Sequence, residues 1–352
     1  MKKYWSKRIQ ELEAYVPGEQ PKDRKYIKLN TNENPYPPSH KAVEAMEGAI
    51  GEAMRLYPDP ECTAVVEAIA ECYGVEKEQV FVGNGSDEVL AMCFPAFFDT
   101  DKTILFPDIT YSFYPVYADL YQVPYETVAL KADFTVPVDE LLKSDGGIII
   151  ANPNAPTGIA LPLEEIERIV AGNPDSVVIV DEAYVDFGGV SALPLINKYP
   201  NVLIVRTTSK SYSLAGMRVG WAMGDKSLIA ALNTVKNSIN SYTLDRVAIA
   251  GGAAAIADQE YFKGCCDKVI ATRQRSIAAL SELGFECLPS ATNFIFAAPT
   301  KIGAQELFAK LRERGILVRY FKKPRIDRFL RISVGTDEEM DALVAAIKEI
   351  IG

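Results

Sequence analysis

The chain has 352 residues, 48% hydrophobic and 24% charged, which is enough apolar side chain for a large core or two domains and rules out a disordered or collagen-like polymer. Acidic residues outnumber basic ones by 47 to 37, and the formal net charge of −10 argues against a nucleic-acid partner, since phosphate backbones are held by excess Lys and Arg. No apolar run approaches the roughly 20 residues of a membrane span, and the first eight residues lack the hydrophobic stretch of a secretory signal, so the expected location is cytoplasmic, without a membrane partner.

Six cysteines (Cys62, Cys72, Cys93, Cys265, Cys266 and Cys287) form no Cys-x-x-Cys pair, which speaks against a disulfide framework and against zinc. His40 is the only histidine, so multi-histidine metal sites are excluded and any histidine base would have to be this residue. After an N-terminal arm containing Leu29-Asn30-Thr31-Asn32-Glu33-Asn34-Pro35, helical spacing of apolar residues predicts helices over 41–56 and 63–73. Continuous apolar runs then predict strands at 79–82, 103–106, 147–151, 176–180, 202–206 and 218–223, with helices near 86–98 and 163–171. Strands that are apolar throughout, without alternation, belong in a sheet covered on both faces. The expected fold class is therefore α/β, a three-layer α/β/α arrangement around a mostly parallel sheet.

From residue 244 the pattern changes to a long helical stretch through 284, a segment over 285–296, a helix near 305–314, short strands at 316–320 and 329–334, and a last helix from Asp337. This predicts a smaller α+β domain of residues 244–352 joined by the arm, 1–34, beside a large domain of 35–243.

Four segments concentrate chemistry. Asp181-Glu182-Ala183-Tyr184 ends the apolar run 176–180, and ligands of parallel sheets collect at the carboxyl ends of strands. An acid there can hold a protonated ring nitrogen, although a strand-terminal Asp also serves as a helix cap. Lys210 lies in Thr207-Thr208-Ser209-Lys210-Ser211-Tyr212-Ser213, with Arg218 eight residues on; the setting suits a phosphorylated aldehyde, the lysine forming the imine and Ser209 and Arg218 meeting the phosphate. Gly83-Asn84-Gly85-Ser86-Asp87-Glu88 joins a strand to a helix, whose N-terminal backbone N–H groups can bind an anion. Asn152-Pro153-Asn154-Ala155-Pro156-Thr157-Gly158 is a rigid turn after another buried strand. Arg319, Lys322, Lys323, Arg325, Arg328 and Arg331, set against Asp327 alone, form a basic run that either meets an anionic substrate or is a solvated face.

Taken together and in this order, these segments resemble the fold type I aminotransferases, and within them the histidinol-phosphate aminotransferases. The resemblance also takes in Arg55-Leu56-Tyr57-Pro58-Asp59-Pro60, Tyr111 and Arg331-Ile332-Ser333-Val334-Gly335-Thr336, so it covers nearly the whole chain. It implies pyridoxal 5'-phosphate (PLP) carried on Lys210, with Asp181 on the pyridinium nitrogen, Tyr184 on the phenolate oxygen and Tyr111 stacked on the ring. Gly85, Ser86, Asp87, Ser209 and Arg218 would hold the cofactor phosphate. Arg331 matches the arginine that takes a substrate carboxylate, and Tyr15 and Arg319 resemble residues at the substrate's phosphate end. Tyr57 resembles the tyrosine that reaches the neighbouring subunit's cofactor, which implies a homodimer with shared sites. One position departs from the pattern: Ala155 stands where the family has asparagine before Pro-Thr-Gly, leaving Asn154 to replace it through a shifted turn or the contact absent.

The implied reaction moves an amino group from L-histidinol phosphate to 2-oxoglutarate, with Lys210 acting as both anchor and base. An aromatic amino acid aminotransferase would share the cofactor residues, and a phosphothreonine-type decarboxylase the same lysine and phosphate contacts. A PLP-sensing regulator would need a DNA-binding module for which the chain has no room. Beside a pyridinium, Asp181 is expected to have a depressed pKa.

Overall fold

The structure, a computed structural model, describes residues 3–142 and 144–352. Seven strands form the central sheet in the order Val80–Asn84, Val219–Gly224, Val202–Thr207, Val178–Asp181, Ile148–Ala151, Ile104–Pro107 and Tyr125–Val128. All run parallel except Val219–Gly224, which is antiparallel to both neighbours. The absence of polar alternation has the expected consequence. Ile148, Ile150, Val178, Val180, Val202 and Ile204 enter one core, and Ile149, Ile179, Leu203 and Val205, one residue out of phase, enter the core on the other face. Helices including Thr63–Tyr73 and Leu163–Gly172 cover the first face, and Ser86–Phe97 and Phe113–Tyr121 the second.

A second sheet of four antiparallel strands, in the order Arg319–Tyr320, Leu330–Ser333, Phe294–Pro299 and Phe285–Cys287, has its own core with Phe285, Ile295, Leu330 and Ile332. The arm is built into this part: Ile27–Lys28 pairs in parallel with Ile316–Leu317, and Leu29 is buried in the same core. The final helix, Asp337–Ile351, begins with a reciprocal cap between Thr336 and Glu339.

Two helical segments differ from the sequence expectation. The helix expected over 41–56 ends at Ala49, followed by a short 3₁₀ turn at Glu52–Arg55. Ile50, Met54 and Leu56 remain exposed, so no burial supports further helical turns. The stretch 244–284 is two helices, Arg246–Ala257 and Gln259–Glu282, parted at Asp258, whose carboxylate accepts from Lys41 at 2.8 Å. The first of the two packs on His40–Ala49 and Thr63–Tyr73, beside the central sheet. Among the described residues no helix is long and apolar enough to cross a membrane.

Candidate active site

The carboxyl ends of the parallel strands place Ala151, Asp181 and Val205 side by side in register. The reversed strand contributes from the opposite direction. Because Val219–Gly224 is antiparallel and pairs Gly220 with both Gly83 and Thr207, the residue entering it, Arg218, arrives at the same edge. A cavity of about 240 Å³ opens there, between this edge, the arm and the smaller sheet.

Asp181 forms the buried end of the cavity, only 5% exposed. Its Oδ2 accepts from the Tyr114 hydroxyl at 2.9 Å and its Oδ1 from the Ala183 N–H at 3.2 Å, but no ion pair among the described residues involves it. Burial therefore dominates and pushes its pKa up to about 6, with the two hydrogen bonds opposing. The depression expected from the sequence requires the pyridinium; the protein's own residues produce the opposite. A buried carboxylate lacking a cation is what a protonated ring nitrogen would complete.

At the other end lies an anion cradle. Ser86 opens the helix Ser86–Phe97, whose first N–H groups point outward. Arg218 is held over it, donating to Asp87 Oδ2 at 3.1 Å and to Ser209 Oγ at 3.5 Å. Tyr111 donates to Asp87 Oδ1 at 2.7 Å, which fixes its ring against the cavity. Gly85 has φ +84, and a side chain at Gly85 would collide with the Arg218 guanidinium. Between the two ends stands Lys210, whose Nζ donates to the Thr31 carbonyl at 3.3 Å and lies 5.9 Å from the centre of the Tyr184 ring. Asn34 clamps the lysine's own backbone, donating to the carbonyls of Lys210 at 3.0 Å and Ser211 at 3.3 Å.

The opposite wall belongs to the arm and the smaller sheet. Arg331, on Leu330–Ser333, donates to the Asn30 carbonyl at 3.2 Å and lies 5.4 Å from the rings of Phe294 and of Phe321, while its buried Nε has no acceptor. Burial, and then the neighbouring charge of Arg319, hold its pKa below the ordinary value. Arg319 and Tyr15 line the same wall, and Tyr15 stacks on Phe113 at 4.1 Å. The basic run divides: Arg319 and Arg331 face the cavity, Arg328 pairs with Glu286, and Arg325 reaches Asp108 and the Leu130 carbonyl.

Of the residues singled out in the sequence, Tyr15, Ser86, Asp87, Tyr111, Asp181, Tyr184, Ser209, Lys210, Arg218, Arg319 and Arg331 all line this cavity, with Gly85 immediately behind Ser86. Asn154 does not join them. Its amide donates to the Ile109 carbonyl and to Thr157 Oγ1 and accepts from Thr110, while Ala155 lines the cavity, so a shifted turn does not bring Asn154 into the family asparagine's place. Tyr57 is also outside, 77% exposed and stacked on Tyr242 at 4.5 Å. His40 is exposed at the start of its helix. Sequence reasoning missed Tyr114, whose only signal was its place three residues after Tyr111, and Asn32, which donates to the Tyr184 hydroxyl at 2.9 Å.

The donor set fits PLP: an acid for the ring nitrogen, an amine for the aldehyde, a phenol beside it, and a helix N-terminus with a guanidinium and hydroxyls for the phosphate. Residues 24–347 match the family model described as aminotransferase class I and II, and the chain belongs to that family. It is 56% identical to a histidinol-phosphate aminotransferase of Clostridium acetobutylicum over 351 residues, covering 100% of both chains. It is 55% identical to another from a Marinomonas species, covering 99% of this chain and 100% of that one. Among solved structures, the histidinol-phosphate aminotransferase of Sinorhizobium meliloti in complex with pyridoxal-5'-phosphate superposes with a TM-score of 0.89 at 26% identity, covering 99% of this chain and 98% of the other.

Proposed function

We propose that this protein is a PLP-dependent aminotransferase that passes the amino group of L-histidinol phosphate to 2-oxoglutarate, giving imidazole-acetol phosphate and L-glutamate in histidine biosynthesis. The observation that carries the reading is two guanidiniums, Arg319 and Arg331, in one cavity with Lys210 and Asp181. The relatives that the chain matches along its full length at 52–56% identity carry that name.

PLP, once bound, supplies the electron sink that makes loss of a Cα proton affordable. Asp181 would hold a proton at the ring nitrogen, Ser86, Ser209 and Arg218 would hold the phosphate, and Tyr111 and Tyr184 would bound the ring. Lys210 Nζ, the one lysine amine lining the cavity among the described residues, is the group that would hold the aldehyde and would carry the proton from the substrate's Cα. Arg319, Arg331 and Tyr15 take the substrate's anionic end, the phosphate of one substrate or a carboxylate of the other; a planar guanidinium binds either through two oxygens at once. Ala155 offers no side-chain donor, so the ring oxygen would depend on Tyr184, whose hydroxyl accepts from Asn32.

In this reading the enzyme is a homodimer with shared sites. Tyr57, Tyr242, Ile50, Met54, Leu56 and Ile239 leave apolar surface exposed, and Tyr57 on that surface would complete the neighbour's site. Six free thiols fit a cytoplasmic location. Residues 35–243 would carry the cofactor and 1–34 with 244–352 the substrate guanidiniums, except that the helix Arg246–Ala257 goes with the larger part.

The test is the absorption spectrum of the purified protein before and after adding L-histidinol phosphate and, separately, L-phenylalanine. Loss of the visible cofactor band with histidinol phosphate at low concentration supports the reading. Conversion by phenylalanine alone would assign an aromatic amino acid substrate instead, and no band even with added PLP would refute the cofactor.

A further inference from the structure

Asp181 is served by a side chain for which the proposed reaction has so far given no use. Tyr114, on the helix Phe113–Tyr121, is completely buried, and 67 positions separate it from the carboxylate to which it donates at 2.9 Å. Its ring meets that of Tyr111 edge-to-face, centroids 5.7 Å apart at 83°, and Phe106 packs against it at 5.9 Å. We propose that Tyr114 is a positioning residue: its hydroxyl fixes the Asp181 carboxylate and its ring fixes the Tyr111 ring, so one buried side chain aligns both groups that face the cofactor ring. The inference rests on the PLP reading for its consequence, and on the protein's own contacts for its geometry.

Packing alone does not explain a phenol here. Phenylalanine would fill nearly the same volume, and burying a hydroxyl is costly unless it is hydrogen-bonded. The hydroxyl's one acceptor is Asp181 Oδ2, and Asp181 has no other side-chain donor among the described residues. The remaining titratable groups that influence the carboxylate are Asp87 and Glu182, both of which raise its proton affinity. Tyr117 and Cys93 lie in the same region and are held neutral by burial. Lys210 lines the same cavity, its Nζ donating to the Thr31 carbonyl at 3.3 Å, and forms no ion pair with Asp181. Tyr114 is thus the side chain that opposes those anions. A carboxylate and a ring nitrogen share one proton, and a donor on the carboxylate makes the carboxylate the weaker base. The proton then stays on nitrogen, where the reaction needs it. Without the hydroxyl, the proton moves toward Asp181.

Two measurements test this. In cofactor-free protein labelled with 13C at the aspartate carboxyl carbons, the Asp181 resonance, identified by its loss in Asp181→Asn, should titrate near the value of about 6 set by burial. In Tyr114→Phe its midpoint should rise by about one pH unit, and replacement of Tyr114 by a more acidic fluorotyrosine should lower it. Opposite displacements by a weaker and a stronger donor are not produced by packing. In the loaded enzyme Tyr114→Phe should lower kcat about tenfold or more, leave KM within a few-fold, and displace the pH at which the visible band titrates. An unchanged Asp181 midpoint in both variants, or an unchanged kcat, would overturn the proposal. If the wild-type protein binds no PLP, the function reading fails, while the titration of the cofactor-free protein still decides whether Tyr114 governs Asp181.

Discussion

Removing the charge of Asp181 should make the cofactor-free protein more stable while abolishing its use as an enzyme. In the folded chain burial raises this carboxyl from 3.8 to about 6, which at ~1.4 kcal/mol per tenfold is a charging cost of about 3 kcal/mol. The sign follows from proton counting. Below the unfolded value both states are protonated and no cost arises; as pH rises from about 4 to about 6 the unfolded chain releases a proton that the folded chain retains, so stability falls, and above about 6 the whole cost is present. Asparagine at 181 carries no such cost. Its amide oxygen can still accept from Tyr114, but its NH₂ would face the Ala183 N–H, giving back about 1–2 kcal/mol. The net expectation for Asp181→Asn without cofactor is a gain of about 1–2 kcal/mol at about pH 8, which is a few degrees in melting temperature, and a crossover to a variant about 1–2 kcal/mol less stable than wild type below about pH 4, where the charging cost is gone and only the lost hydrogen bond remains. With PLP the order reverses in function: transamination should lose several kcal/mol of transition-state stabilisation. Calorimetric melting of both cofactor-free proteins across this pH range reads the effect. A variant that melts below wild type at about pH 8 would refute the claim that Asp181 is an uncompensated buried charge.

Other substitutions probe other parts of the site. Gly220→Ala places a Cβ against the Ser86 nitrogen and the Gly85 carbonyl, so the cradle must open; PLP affinity, measured by equilibrium dialysis, should weaken about tenfold or more while the sheet remains folded. Arg206→Met leaves Glu182, completely buried in its side chain, without its cation, and a loss of about 3–5 kcal/mol is expected in urea unfolding near neutral pH, shrinking in acid as Glu182 protonates. Arg331→Lys keeps the charge and removes the two-oxygen grip, so KM for the anionic substrates should rise about tenfold with the visible band unchanged.

The chemistry of the site was legible in the chain because its parts are local. Lys210 among hydroxyls, Asp181 at the end of an apolar run and Ser86 at the start of a helix each give a local signal that is weak alone; their joint order carried the resemblance, and the structure brings all three to one cavity. Partnerships across long separations were not legible. Tyr114 and Asp181 are 67 positions apart, and Asn32 and Tyr184 are 152 apart. The alternatives left open at Asn154 could not be decided locally for the same reason: the sequence shows an amide at the turn, while its direction is set by the Ile109 carbonyl and Thr110 from another loop.

By itself the sequence indicated the layered α/β architecture, because short unbroken runs of Val, Ile and Leu alternating with helical patterns suit a sheet buried on both faces. It also carried the resemblance that implied the chemical class of the site, through a helix N-terminus, an acid and an amine that follow strand ends in that chain order. Only the tertiary structure decided that one strand runs backwards and delivers Arg218 to the cavity beside Ser86, and that the arm pairs with Ile316–Leu317 to close the cavity with Thr31 and Glu33. It alone decided that Asp181 is buried and, among the described residues, without a cation. Strand direction, closure and desolvation depend on which segments meet across long stretches of chain, and no local pattern encodes them.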